Sequence, residues 1–171
     1  MGTPKQFTFE QSFDATLDEV WELWTTADGL EAWWGPEGFS TKVLKMDLKP
    51  GGTIHYAMSA VAPEMVKFMK QAGMPTTTET KGRFSEVTPK TRLVLVQLMD
   101  FLPGVKPYDI ASVLELSAKG KTVKMKVTVD AAHSEEFTQR AKMGWESQLG
   151  RLAKLLEARA AKKNGSERRA D

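Results

Sequence analysis

Apolar and polar residues alternate near the start of the chain. Phe7, Phe9 and Phe13 fall on one side of a two-residue period, and Thr8, Glu10 and Ser12 on the other. That spacing predicts a strand with one apolar face. The period changes at Thr16. Thr16-Leu17-Asp18-Glu19 has the form of a capping box: the threonine hydroxyl takes an early helix N–H, and the glutamate reaches back to the cap. Leu17, Val20, Trp21 and Trp24 follow on one helical face. Asp28 is the expected cap of a second short helix carrying Trp33 and Trp34. Gly35-Pro36 ends it, because proline cannot continue a helix and disfavours helical geometry in the residue before it.

Strands are expected next. Residues 41–48 form the first, and Pro50-Gly51-Gly52 marks a turn. Ile54, Tyr56 and Met58 then alternate with Thr53, His55 and Ala57. Residues 63–73 interrupt with a short helical pattern in which Met65, Phe68 and Met69 share a face. Strands resume at 77–87, 92–98, 108–117 and 122–129, and Lys119-Gly120-Lys121 is the hairpin turn before the last. In that strand Val123, Met125, Val127 and Val129 point one way, and Lys124 and Lys126 the other. A long helix follows. Ser134 is its expected N-cap, and Glu135 and Glu136 suit the positive end of its dipole. Phe137, Ala141, Trp145, Leu149, Leu152 and Leu156 make one sustained apolar stripe. From Ala160 to Asp171 the stripe is lost, and a frayed or disordered tail is expected.

Strands and helices kept apart in this way predict an α+β fold. An antiparallel sheet with one apolar face needs a cover, and the long helix is the one available. A curved sheet wrapped round a helix leaves a cavity unless large side chains fill it. The pair Trp33-Trp34 bears on that point. The chain has five tryptophans, and four lie between Trp21 and Trp34. Two large rings side by side are not expected to fit one narrow core, so at least one is expected to line a wider space or meet a partner.

The length of 171 residues fits one domain, placed at 1–159 with the tail beyond it. The net charge of +2 is too small, and its basic excess too concentrated in the tail, to predict a nucleic-acid partner. The absence of cysteine excludes disulfides, thiol catalysis and thiolate metal sites. No apolar run reaches the ~18 residues of a membrane span. No membrane partner is expected, and the chain reads as cytoplasmic. Two distant histidines, His55 and His133, do not match the spacing of a histidine metal site. No nucleophile elbow or phosphate loop is present. Neither a metal nor a cofactor is expected.

Several segments together resemble a known family: Phe13-Asp14-Ala15 with Val20-Trp21 and Trp24-Thr25, then Trp33-Trp34-Gly35-Pro36, then Asp47 with Pro50-Gly51-Gly52. Gly82, Phe84, Glu86-Val87, Pro89 and Arg92-Leu93 follow, and then Gly144-Trp145. This order is similar to the homologues of the activator of the ninety-kilodalton heat-shock protein ATPase, within the START-like, or Bet v-like, helix-grip superfamily. The resemblance covers roughly residues 7–156. It implies a curved seven-stranded antiparallel sheet gripping a long C-terminal helix, two short helices after the first strand, and a hydrophobic cavity. Superfamily members bind lipids, sterols, hormones or polyketides there, and a minority catalyse cyclisation or dehydration. Residues 61–75 stand out from shorter relatives as an inserted helical segment and a candidate lid. No counterpart of the eukaryotic activator's separate chaperone-binding domain is expected.

The main expectation is a protein that holds a small hydrophobic or amphipathic ligand between sheet and helix. Its candidate cavity residues are Trp33, Trp34, Met58, Phe68, Met69, Phe101, Tyr108, Trp145 and Leu149. Two alternatives stay open. A cyclase or dehydratase needs an acid or base in the pocket, and His55, Asp100, Tyr108 and Glu115 are its candidates. An interaction module, such as a chaperone accessory, needs the tryptophan segment exposed. A homodimer is compatible with all three.

Overall fold

The structure, a computed structural model, describes residues 6–170 apart from 101–103, with side chains described up to Lys163. The chain runs β1 (Gln6–Phe13), α1 (Leu17–Thr25), α2 (Ala27–Trp33), β2 (Phe39–Met46), β3 (Thr53–Ala60), α3 (Pro63–Gln71), β4 (Thr77–Thr88), β5 (Arg92–Met99), β6 (Tyr108–Lys119), β7 (Thr122–Asp130) and α4 (Glu135–Ala170). The strands form one seven-stranded sheet in the order β1-β7-β6-β5-β4-β3-β2, every pair antiparallel. β1 and β2 are the two edges, and α1 and α2 carry the chain from one to the other. This is the α+β fold that the pattern predicts, in the helix-grip arrangement that the resemblance implies.

Local sequence explains the elements. In β7, Val123, Met125, Val127 and Val129 are buried while Lys124 and Lys126 are exposed. β1 sets Phe7 opposite Val129 and Phe9 opposite Val127, so the two apolar faces coincide. Register shifts at Val43/Lys45 and at Phe84/Glu86 are bulges, and bulges bend the strands that carry them. At the Pro50-Gly51-Gly52 turn a Cβ on Gly52 would lie 1.9 Å from the Asp47 carbonyl oxygen, so only glycine fits. The Thr16 side chain caps α1 by accepting from the Glu19 N–H at 3.1 Å. Thr26, not Asp28, caps α2: its hydroxyl accepts the Gly29 N–H at 2.9 Å. Thr26 also ends α1, so one extended residue separates the two helices.

Ser134 starts α4 as expected, accepting the Phe137 N–H at 3.2 Å. Trp145, Leu149, Leu152 and Leu156 bury its apolar stripe against the sheet and α2. The helix does not end with the stripe. Its backbone stays helical through Ala170, where a frayed or disordered tail was expected. Alanine, lysine, arginine and glutamate dominate that stretch and are strong helix formers. Lys163 also reaches back to the Glu19 carboxylate on α1. No helix among the described residues is long and apolar enough to cross a membrane.

Candidate functional site

Four of the five tryptophans meet at one place. Trp24 and Trp33 lie 4.7 Å apart between ring centroids, Trp33 and Trp34 5.2 Å, and Trp34 and Trp145 5.4 Å, each edge to face. Trp24 and Trp145 stack at 6.3 Å. Edge-to-face contacts pair a positive ring edge with a negative ring face. Both members of the Trp33-Trp34 pair are buried, at 0% and 4% exposure, against the expectation that one core could not take both. The reason is local. α2 ends at Trp33, and Trp34 is its extended C-cap, so the two rings leave the chain in different directions. Trp33 is wholly a core residue, its indole N–H donating to the Leu23 carbonyl at 2.9 Å. The space enclosed between this cluster and β3 to β5 is only about 10 Å³. Large side chains have filled the interior.

α4 holds the segment after α2 in place. The Gly35 N–H donates to Gln148 Oε1 at 3.0 Å, and the Glu37 N–H to the Ser147 hydroxyl at 2.9 Å. Arg151 Nη1 donates to the carbonyls of Trp34, Gly35, Pro36 and Phe39 at 2.8 to 3.4 Å. Gly35 has φ +98°, a conformation that costs a side chain dearly, and a Cβ there would press on Met58 and Thr41 at 3.3 Å. The Trp34-Gly35-Pro36 path is therefore set jointly by glycine and by Ser147, Gln148 and Arg151 of α4.

Beside this segment a cleft of about 360 Å³ opens to the surface between α4, α3 and β3 to β5. Trp34 and Trp145 form its aromatic wall. Met58, Met69, Met74 and Met99 form a thioether wall, so four of the chain's nine methionines converge here. Met58, Met69 and Met99 are half-buried, and Met74 is exposed at the rim. Gly144 lies in the α4 wall, and a Cβ built on it meets no heavy atom within 4 Å. A mid-helix glycine is commonly explained by close approach or tight packing. Neither applies: the position keeps the cleft open.

The polar groups of the lining are all neutral among the described residues: Tyr56, Thr78, Thr80, Gln97 and Gln148. Burial pushes the Tyr56 phenol above its ordinary range, against the hydrogen bonds of Trp34, Thr80 and Gln97 that pull it down. Gln97 Nε2 donates to the Tyr56 oxygen. Methionine walls adapt to irregular shapes, and the neutral groups can orient a guest without demanding charge from it.

A family model described as Activator of Hsp90 ATPase homolog 1-like protein matches residues 14–157. The chain belongs to that family. Solved structures share its fold. A Chromobacterium violaceum protein is 22% identical, with a TM-score of 0.73 over 89% of this chain and 96% of its own. A Silicibacter pomeroyi member of the family is 16% identical, with a TM-score of 0.71 over 91% of this chain and 99% of its own. An Aeromonas hydrophila protein of the family is 19% identical, with a TM-score of 0.67 over 91% of this chain and 94% of its own. No curated protein matches the chain in sequence.

Within this family member, the candidate residues divide. Trp34, Met58, Met69 and Trp145 line the cleft. Trp33 does not, for the reason given above. Leu149 packs in the core at 4% exposure, because a helix turns roughly 100° per residue and carries it past the cleft-facing Gln148. Phe68 is 59% exposed: it flanks the Met65–Met69 side of α3 and turns to solvent. Tyr108 is half-buried beside Met99 but does not line the cleft, its hydroxyl 2.9 Å from His133 Nδ1. Phe101 lies outside the described residues.

The alternatives fare as follows. Asp100 is exposed, Glu115 faces Arg92 at 3.5 Å, His55 faces Glu79 at 3.5 Å and Tyr108 faces His133, so none of the four acid–base candidates lines the cleft. The interaction-module reading needed exposed tryptophans, and Trp33 and Trp34 are buried. Sequence reasoning missed Gln148, Thr78 and Thr80. For Gln148 a signal existed: a glutamine three residues after Trp145, on the buried stripe of α4, is a polar residue where an apolar one belongs. Two further depressions, of about 420 and 770 Å³, lie where the far end of α4 passes β1 and the β6–β7 turn. Charged side chains such as Glu157 and Lys163 share their walls.

Proposed function

We propose that this protein binds a small hydrophobic or amphipathic molecule in the cleft between α3, α4 and the sheet. One observation carries the reading: a cleft of about 360 Å³, walled by methionine and tryptophan, is kept open by Gly144 on the helix that covers the rest of the sheet. Its size lies within the ~300–1,000 Å³ range of small-molecule sites. Binding draws on apolar ligand surface removed from water, about 25 cal/mol per Å² before ordering costs. α3 covers one side with Met69, which fits the inserted segment to the role of a lid.

The test uses the neutral fluorophore N-phenyl-1-naphthylamine, whose emission rises on entering an apolar site. The wild-type protein is expected to enhance it saturably. Gly144→Leu places a branched side chain in the open space and is expected to abolish the enhancement while the protein still melts cooperatively. Equal enhancement by the two proteins would sink the reading. Native mass spectrometry of the protein as purified, with extraction of any retained molecule, would identify a natural occupant.

A further inference from the structure

The cleft carries one oriented polar donor with no protein acceptor among the described residues. Gln148 is 6% exposed and lines the cleft. Its amide is oriented, because the Gly35 N–H at 3.0 Å requires an oxygen opposite it. Nε2 therefore takes the other position, and among the described residues it makes no hydrogen bond. Of the other polar lining groups, Gln97 Nε2 donates to the Tyr56 oxygen with Thr80 beside it, and Thr78 is a half-buried hydroxyl that can donate or accept. The nearby cations are committed too: Arg151 to four carbonyls, and Lys154 to Glu37 at 3.2 Å. A ligand that shields this donor from water without accepting from it costs about 1–3 kcal/mol. A buried ionised group without a partner costs several kcal/mol more.

We infer that the ligand is uncharged and carries a hydrogen-bond acceptor, a carbonyl, ether or hydroxyl oxygen, that receives the Gln148 Nε2–H groups. This rests on the binding reading above and narrows it. Anionic amphiphiles such as free carboxylic acids are excluded, because no cation among the lining residues meets them. The apolar body of the ligand lies against Trp34, Trp145 and the methionines. Gln148 thereby selects the ligand while its Oε1 holds the Trp34-Gly35 segment that shapes the cleft.

Isothermal titration with three matched probes tests the inference: 2-acetonaphthone, 2-ethylnaphthalene and 2-naphthoate. They share a ring system and differ in bearing a ketone, no acceptor, or an anion. The ketone is expected to bind up to about tenfold more tightly than the hydrocarbon, the equivalent of one net hydrogen bond. The naphthoate is expected to bind most weakly. Gln148→Glu keeps the oxygen for the Gly35 N–H, removes the donor, and is expected to erase the ketone's advantage. If the glutamate variant fails to fold, Gln148→Met removes the donor together with the Gly35 contact, and the readout is the ratio of ketone to hydrocarbon affinity within that variant, expected to fall to about one. If the hydrocarbon or the naphthoate binds as well as the ketone, or the ketone's advantage survives both substitutions, the inference is overturned while the binding reading stands. If none of the three binds, both fall.

Discussion

At the scale of single residues, adjacent positions carry opposite duties. Trp33 belongs to the core, and Trp34 is shared between core and cleft. Trp33→Ala removes a fully buried ring and its hydrogen bond to Leu23 and is expected to cost about 3–5 kcal/mol in urea denaturation. Phe68→Ala, at a 59% exposed position, is expected to stay within about 0.5 kcal/mol. A sequence shows both aromatics equally well, and only burial separates them. Gly144 makes the same point in reverse. Because a Cβ there meets open space, Gly144→Ala is expected to stabilise α4 by up to about 1 kcal/mol in the same measurement, through helix propensity alone. A glycine required for close packing would show the opposite sign.

At the scale of elements, the decisive contact is between α4 and the segment that follows α2. Arg151 gathers the backbone carbonyls of Trp34, Gly35, Pro36 and Phe39. Arg151→Met keeps the apolar stem and removes the donors. It is expected to destabilise the protein by about 1.5–3 kcal/mol, the range for hydrogen bonds to a charged group, and to change the near-ultraviolet dichroism of the tryptophan cluster. The elements themselves were legible from periodicity: the alternation in β7 and the stripe from Phe137 to Leu156 each repeat often enough to be unambiguous. The caps were partly legible. Thr16 and Ser134 act as expected, but Thr26 takes the role assigned to Asp28, because the α1–α2 junction is one residue long and the residue ending one helix must also begin the next.

At the scale of the whole molecule, α4 ties the two ends of the chain together. Lys163 meets Glu19 on α1, 144 positions earlier. Burial raises the Glu19 carboxyl, but the hydrogen bond and charge of Lys163 and the Thr16 cap outweigh it and hold it below the ordinary glutamate range. A carboxyl lowered by folding contributes stability above its unfolded pKa and loses it as pH falls through its folded one. The stability gap between wild type and Lys163→Met is therefore expected to be present at neutral pH, at the level of about 0.2–1 kcal/mol for an ion pair with an exposed partner, and to close in acid below the glutamate range. Urea midpoints of both proteins across that span check it. Taken by itself, the sequence determined what short-range periodicity encodes: the order of strands and helices, the apolar face of each, and an α+β sheet covered by one long helix. Tertiary structure decided what depends on strand register and on the rotation of α4: that the tryptophans fill the interior, that the open volume lies beside them under α3, and that Gln148 rather than Leu149 faces it. Such choices turn on distances between residues far apart in the chain, and no local pattern carries them.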